Sequence, residues 1–395
     1  MSNQAVIIDA TRSPIGVKNG EMVGIRPDDL AAQVVKGLMD RNPTVKLEEI
    51  EDLVMGCAFP EGPQGMLIGR SVSVLAGLPQ SVPGKVVNRF CGSAMDALHQ
   101  VSAAIESGDI DVGIAAGVED MFSIPPGGFA PDFHPELAEQ EYYIGMGETA
   151  ENLANDGDIS RENQEEFSIQ SHEKALTAWE AGKFDNEVVS IDYYGEKTIK
   201  RDEGPRKPDV EKIRSLNPAF VEGGSVTAAT SSPFSLGAAA LLVTSQSFAE
   251  RNELAIRATI ASRAVAGVDW TRMGMGPIPA TEKALKKAGL AMEEIEVIEL
   301  NENEIKGFFN IIKKIRPKQF DQSYIFSDSI RLYLISKLSG IKENFHYKFF
   351  SKKGKNFFKT AKEFTEKILK IKINPQSKIY CNQKDIEEAK KKYNI

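Results

Sequence analysis

Short apolar runs alternate with stretches in which apolar residues recur at helical spacing through the first 302 residues. Four of these runs are rich in β-branched residues: QAVIIDA, LEEIEDLVMGCA, VPGKVVNRF and DVGIAAGVEDM. Runs of this length predict strands of a buried sheet, and the longer stretches between them predict helices. The alternation is typical of an α/β fold with helices layered on a sheet.

The helix predicted after Cys91 has the clearest spacing. Gly108 follows its last apolar residue and predicts the end of the helix. Cys91 therefore falls at the predicted N-terminus. The apolar positions of this helix are Ala94, Ala97, Leu98, Val101, Ala104 and Ile105.

The pattern loosens between about Met121 and Arg206, which predicts an inserted loop domain. Inside it, a serine cap opens an amphipathic helix in SRENQEEFSIQSHEKALTAWEAGKF. The layering resumes with two predicted strands, in SVTAATSSPFSLGAAALLVTS and ATIASRAVAGVD. The run PATEKALKKAGLAMEEIEVIEL then predicts a helix, a glycine stop and a strand that ends near Leu300.

The charge of the chain changes sign along its length. Residues 303–395 carry 22 Lys and Arg against 9 Asp and Glu, whereas residues 1–302 carry 26 against 47. This shift indicates two segments of different origin or role. The basic tail predicts helix, strand, helix and helix in IKGFFNIIKKIRPKQF, SYIFSDS, IRLYLISKLSGI and NFFKTAKEFTEKILKI. Its lysines are typical of a solvated face, and it has no nucleic-acid-binding motif.

The composition and the remaining motifs favour a cytoplasmic protein without a resident cofactor. The cysteines at 57, 91 and 381 have no short spacing, so neither a disulfide framework nor a CxxC metal site is expected. No basic leader is followed by an apolar stretch, and no run reaches the roughly 18 apolar residues of a membrane span. The motifs GxxxxGK[ST], GxGxxG and HExxH are absent, so neither a metal nor a nicotinamide cofactor is expected.

Cys91 has two interpretations. A thiol attacks only as a thiolate, and the free N–H groups of a helix N-terminus stabilise a thiolate. The position therefore suits a nucleophile. Cysteine is also among the most buried residue types, and position alone favours a small core side chain.

The segment VNRFCGSAMDAL, which contains Cys91, resembles the nucleophile segment of the thiolases, the acyl-CoA C-acyltransferases. Further segments resemble the family in the same order: VIIDATRSPIG, FPEGPQG, AAGVEDMFSIP, MGETAENLA, ISRENQEEFSIQSHEKA, GGSVTAATSSPFSLGAAA, MGMGPIPATEKALKKAGL and IEVIELNE. The resemblance implies a layered αβαβα fold, a homodimer or tetramer, and acyl exchange between a 3-ketoacyl-CoA and coenzyme A. Coenzyme A would then be a substrate.

The resemblance also implies roles for individual residues. Cys91 is the residue that would be acylated, and Asn301 matches the asparagine that holds a catalytic water near a developing oxyanion. Met146 and Ser232 match residues that line the pantetheine channel. Arg206 matches a nucleotide-contacting arginine when one gap is allowed. Taken without the family, Asn301 is a strand-end or turn residue, Met146 a packing methionine, Ser232 a helix cap and Arg206 a solvated loop arginine.

The resemblance is expected to end at residue 302, where the family continues NEAFA and this chain has NENEIKGFF. Asn303 and Glu304 replace an alanine and a phenylalanine. The family's GHP histidine, which activates the nucleophile, and its CxG cysteine, which moves the α-carbon proton, have no counterpart. His346 and Cys381 lack the glycines of such turns.

Residues 304–395 faintly resemble part of a heptosyltransferase-type glycosyltransferase. The alternative function is therefore an incomplete fusion that at most binds acyl-CoA or is acylated on Cys91. The predicted organisation has four parts. Residues 1–120 form the thiolase N-terminal half with the nucleophile, and residues 121–245 form a loop and coenzyme A-binding region that returns to the N-terminal sheet. Residues 246–302 contain the end of the N-terminal half and the start of the C-terminal half, and residues 303–395 are the basic tail.

Overall fold

The computed structural model describes residues 3–295 and the backbone of two further strands, 322–325 and 343–346. The chain forms two compact units, Met1–Ile295 and Glu296–Ile395. The strand expected to end near Leu300, and the predicted tail helices, lie outside the described residues. The predicted tail strand in SYIFSDS is confirmed in part.

One sheet dominates the first unit. Its strands run in the order β4-β3-β5-β8-β1-β9, and β2 pairs with β8. β3 is parallel to β4 and β5, whereas β8 is antiparallel to β5 and β1, so the sheet is mixed. The separate hairpin β6–β7 belongs to the insertion. The strands of this unit are β1 (Ala5–Arg12), β2 (Gly16–Val17), β3 (Asp52–Gly56), β4 (Gly84–Val87), β5 (Val112–Asp120), β6 (Ile191–Tyr193), β7 (Lys197–Ile199), β8 (Ser235–Ser245) and β9 (Ala258–Thr259).

The second unit contributes the parallel pair β10 (Gln322–Ile325) and β11 (Glu343–His346).

Helices cover both faces of the main sheet and build the insertion. Local signals set their ends: Gly108 and Gly289 have φ of +84° and +69° and end α3 and α9, as the sequence predicts. Ser160 accepts a hydrogen bond from Asn163 N at 3.2 Å and begins α6. The helices are α1 (Pro27–Asp40), α2 (Ile68–Leu75), α3 (Ser93–Ser107), α4 (Pro135–Glu139), α5 (Met146–Asp156), α6 (Arg161–Glu180), α7 (Val210–Ser215), α8 (Gln246–Arg251) and α9 (Pro277–Ala288).

The two faces of the sheet carry different side chains, because successive strand residues point to opposite faces. Large apolar residues of one face pack with those of α1 and α2 in one core, which includes Val6, Ile8, Leu30, Val34, Leu38, Leu53, Met55, Ile68, Val72, Ile114, Leu236 and Leu242. The core under α3 is smaller and consists of Ala5, Val54, Ala97, Val101, Ile105, Ala115 and Val243.

Glycines in β3 and β5 bring α3 unusually close to the sheet. A Cβ at Gly56 would lie 2.3 Å from the carbonyl carbon of Ser93 and 2.4 Å from Ala94 N. A Cβ at Gly117 would lie 2.5 Å from Ala94 Cβ. Only glycine fits at these two strand positions, so the first turn of α3 rests directly on the sheet backbone.

The insertion occupies residues 121–234, between β5 and β8, and is tied back to β1. Arg12 forms ion pairs with Glu187 and Asp202, both at 2.7 Å. Asp202 also accepts a hydrogen bond from Ile15 N at 2.8 Å and one from Trp179 Nε1 at 3.2 Å. These contacts hold the hairpin and α6 against the end of the first strand.

One predicted strand is much shorter in the structure. Only Ala258–Thr259 of the run ATIASRAVAGVD forms a strand, which pairs with Val6 and Ile7 of β1. A strand needs a neighbour to satisfy its backbone groups, and residues 261–269 pair with none in the described part of the chain. The apolar composition of the run was therefore misleading about the length of the strand.

We expect Gly56→Ala to lower the free energy of unfolding by about 1–3 kcal/mol, because the added Cβ meets backbone atoms of α3. Gly267→Ala is the matched control, since its Cβ would meet nothing within 4 Å. Chemical denaturation followed by fluorescence reports the first unit, which contains both tryptophans, Trp179 and Trp270. Equal unfolding free energies for the two variants would contradict the close packing.

Candidate active site

Cys91 lies on the short turn that joins β4 to α3. The turn leaves the sheet at Val87, and Gly92 is the N-cap of α3. Phe90 has a φ of +45°, a conformation that non-glycine residues seldom adopt. Cys91 is exposed to solvent and immediately precedes Gly92, the N-cap of α3.

Two polar side chains hold this turn in place. Asn88 donates from Nδ2 to Ala58 O at 2.8 Å and accepts from Phe90 N at 2.9 Å through Oδ1. The Ser93 hydroxyl accepts from Arg89 N at 2.8 Å and donates to Phe90 O at 2.6 Å. The backbone on either side of Cys91 is thus fixed, which offsets the strain at Phe90.

A carboxylate supports the turn from the neighbouring strand ends. Glu119, near the end of β5, accepts from Ala58 N at 2.6 Å, from Phe59 N at 3.3 Å and from Gln64 Nε2 at 3.0 Å. Glu119 thereby fixes the backbone at Ala58, whose carbonyl oxygen accepts the hydrogen bond from Asn88 Nδ2. Roles for Asn88, Ser93 and Glu119 were not predicted from the sequence, although all three lie inside the segments that resemble the thiolases.

Cys57 has a different environment from Cys91, although both follow a strand. Its side chain is buried, and Sγ lies 4.0 Å from Glu119 Oε1. Burial, together with the negative charge of Glu119, raises the pKa of the Cys57 thiol to about 12. Cys57 is therefore a neutral packing side chain at physiological pH, whereas Cys91 is accessible.

The three residues predicted to bind coenzyme A lie in separate surface segments. Met146 is the first residue of α5 and is 56% exposed. Ser232 is exposed just before β8. Arg206 is exposed beside α6, where its backbone N lies 3.4 Å from His172 Nδ1. Asn301 lies outside the described residues.

The first unit contains three histidines, which lie in three different segments. His99 lies in α3, six residues after its first residue Ser93, roughly 9 Å along the helix axis. Burial lowers the pKa of His99. Burial and the charge of Arg206 lower the pKa of His172. His134 precedes α4 and is exposed.

No group of three or more His, Cys, Asp or Glu side chains among the described residues could hold a metal ion. No helix in this part of the chain is both long enough and apolar enough to cross a bilayer.

The geometry defines an α/β protein with an accessible cysteine at a helix N-terminus, an arrangement suited to covalent catalysis. Comparison with known families is consistent with this. Residues 5–247 match the thiolase N-terminal domain, and residues 254–319 match the thiolase C-terminal domain. The chain belongs to the thiolase family of acyltransferases.

Individual relatives agree. The chain is 44% identical over 306 residues to a 3-ketoacyl-CoA thiolase of Aliivibrio fischeri, covering 75% of this chain and 79% of the relative. It is 43% identical over 309 residues to a 3-ketoacyl-CoA thiolase of Photobacterium profundum, covering 76% and 80%.

Two solved structures share the fold. The Bacillus anthracis acetyl-CoA acetyltransferase superposes with a TM-score of 0.68 at 33% identity, covering 75% of this chain and 79% of that one. The human mitochondrial 3-ketoacyl-CoA thiolase in complex with CoA also gives 0.68, at 27% identity, covering 75% and 78%.

The C-terminal match extends to residue 319, so the resemblance is longer than the sequence analysis predicted. Truncation of the C-terminal half and its replacement by an unrelated tail stay predictions. None of the matches described above is a glycosyltransferase, so that interpretation of residues 304–395 also stays a prediction.

We expect Ser93→Ala and Asn88→Ala each to slow alkylation of Cys91 by iodoacetamide about 3- to 10-fold, because each removes hydrogen bonds that fix the turn. Ser107→Ala is the control, since its hydroxyl donates to Ala104 O and to Asp109 Oδ2, at the opposite end of α3 from Cys91. Rates equal to that of the control would show that the turn does not depend on the two side chains.

In the native chain at pH 8, we expect iodoacetamide to label Cys91 and to leave Cys57 unmodified, because the Cys57 thiol is buried and protonated at that pH. Peptide mass spectrometry locates the label. In denaturant, Cys57 becomes reactive as its pKa returns to the ordinary value. Labelling of Cys57 at a similar rate in the native chain would contradict the burial of its thiol.

Proposed function

We propose that this chain transfers an acyl group between a 3-ketoacyl-CoA and coenzyme A through a thioester on Cys91. The observation that carries the proposal is the exposed Cys91 on a strained turn, held by Asn88 and Ser93 at the start of α3. Membership of the thiolase family supplies the reaction class.

The transfer has two steps. The Cys91 thiolate attacks the C3 carbonyl of the substrate, a C–S bond forms, and the C2–C3 bond breaks to leave an acetyl-CoA enolate that takes up a proton. The thiolate of free coenzyme A then attacks the Cys91 thioester, so the acyl group leaves as a new acyl-CoA and the cysteine is regenerated.

Binding and oxyanion stabilisation are assigned to the remaining predicted residues. Met146 and Ser232 would line the pantetheine arm and Arg206 would meet the nucleotide, in keeping with their exposed positions. Asn301 would hold a water at the developing oxyanion, where fixed polar groups contribute most.

We also propose a cytoplasmic homodimer or tetramer. The support for the oligomer comes from β4, which is the edge strand on one side of the described sheet. On its inner edge, β4 accepts hydrogen bonds from β3: Leu53 N donates to Pro83 O, and Cys57 N donates to Val87 O. Successive residues of a strand direct their N–H and C=O groups to opposite edges, so the backbone groups of Gly84 and Val86 point away from β3. An unpaired strand edge of this kind favours pairing with a second copy.

The alternative function is an incomplete fusion that binds acyl-CoA or is acylated on Cys91 without completing turnover. The absence of a GHP or CxG motif from the sequence favours it. Loss of a general base lowers a rate by roughly 10²- to 10⁴-fold, and loss of a second proton carrier lowers it further.

Incubation with acetyl-CoA is expected to add one acetyl group to Cys91, because its exposed thiol needs no second domain to be reached. Intact-mass and peptide mass spectrometry measure the adduct, with Cys91→Ala as the control. The absence of any adduct in the folded chain would contradict both functions that involve acylation.

A thiolysis assay with a 3-ketoacyl-CoA and free coenzyme A separates the two functions. Turnover above that of Cys91→Ala supports the acyltransferase. An acetylated Cys91 without such turnover supports the incomplete fusion.

A further inference from the structure

Glu151 is a buried carboxylate on α5 that the proposed reaction does not use. It is only 5% exposed and lies five residues after Met146, the first residue of the helix. Its carboxylate faces the loop that leads into β8. A charge buried this deeply requires strong hydrogen bonds to be tolerated.

Two successive residues of that loop supply the hydrogen bonds. Ser225 N lies 2.9 Å from both carboxylate oxygens, Val226 N donates to Oε1 at 2.7 Å, and Ser225 Oγ donates to Oε2 at 3.0 Å. Burial alone would raise the pKa of Glu151, but these donors hold it below its usual value. The ionised carboxylate therefore anchors the loop.

The loop also contacts α5 and closes on itself. An added Cβ at Gly147 would lie 2.1 Å from the ring of Phe220, so the ring lies directly against the start of α5. Ala219 N donates to Val226 O at 2.9 Å, which closes the loop into a narrow turn around the residues that bind Glu151.

The anchored residues connect directly to Ser232. Thr230 N donates to Thr227 O at 3.1 Å, and the Ser231 hydroxyl donates to the same carbonyl at 2.8 Å. The backbone from Val226 to Ser231 thus forms a tight turn, and Glu151 holds the first residue of that turn by a hydrogen bond to Val226 N. Ser232 is the next residue.

We propose that Glu151 is a positioning residue for coenzyme A, because one buried carboxylate fixes the segment that ends at Ser232 against the helix that begins at Met146. This inference rests on the proposed function, in which Met146 and Ser232 line the pantetheine arm. Glu151 itself touches no reacting atom and acts through the loop.

Glu151→Gln tests the proposal on the full chain. The amide keeps the shape of the side chain but replaces an acceptor by a donor, so two backbone N–H groups and a hydroxyl face one remaining acceptor. We expect the dissociation constant for coenzyme A, measured by calorimetry, to rise about 10-fold. The rate of Cys91 alkylation should stay at the native value, a separation that general unfolding would not produce.

Glu165→Gln is the matched control, since Glu165 is equally buried, at 5% exposure, and pairs with Arg161 at 2.7 Å on α6. It should leave affinity for coenzyme A unchanged. Should Glu151→Gln fail to fold, Ser225→Ala removes the hydroxyl donor to Glu151 and the acceptor of Gln164 Nε2, which lies 2.9 Å away, but keeps the backbone bonds to Glu151. A rise of about 3-fold is expected.

The possible results separate a failure of the positioning role of Glu151 from a failure of the proposed acyltransferase function. A native chain that does not bind coenzyme A contradicts the proposed function. A native chain that binds, with Glu151→Gln or its substitute Ser225→Ala equally tight, overturns the positioning role. A loss of affinity accompanied by an equal loss of Cys91 alkylation also overturns it, since the effect would then be general.

Discussion

The close approach of α3 to the central sheet is the constraint on which the rest of the site depends. Gly56 and Gly117 leave no side chain between the strands and the first turn of the helix. Because interiors are close-packed, a methyl group at Gly56 would meet the backbone of α3 and one at Gly117 would meet Ala94 Cβ, so either would have to displace the first turn of the helix. The start of α3, and with it Cys91, is therefore fixed by residues that carry no chemistry.

The polar contacts around Cys91 refine this position. Asn88 and Ser93 hold the turn, and Glu119 holds the segment that receives Asn88. Their effect is to keep Phe90 in a conformation that costs of order 1–3 kcal/mol when unsupported. Glu119 acts in a second way, since its charge contributes to keeping the Cys57 thiol protonated. The same small region thus separates an exposed cysteine from an inert one.

The sequence predicted the features that depend on neighbouring residues. The strands around Cys91, the cap at Ser160 and the stops at Gly108 and Gly289 are local signals, and the structure confirms each of them. Position alone favoured a buried Cys91, and the structure shows it exposed. The bonds of Asn88 to Ala58 and of Glu151 to Ser225 join residues 30 and 74 positions apart, a distance at which spacing carries no information. The predicted strand in ATIASRAVAGVD is wrong in length for a related reason, because the length of a strand depends on pairing partners elsewhere in the chain.

Residues 3–295 present an exposed Cys91 immediately before α3, and we propose that acetyl-CoA acylates this thiol. Rapid-mixing measurement of coenzyme A released from acetyl-CoA tests it most directly, because each acylation frees one thiol. The account predicts a burst close to one equivalent per folded chain, slower in Gly56→Ala and absent in Cys91→Ala. A folded native chain that releases no coenzyme A would contradict it.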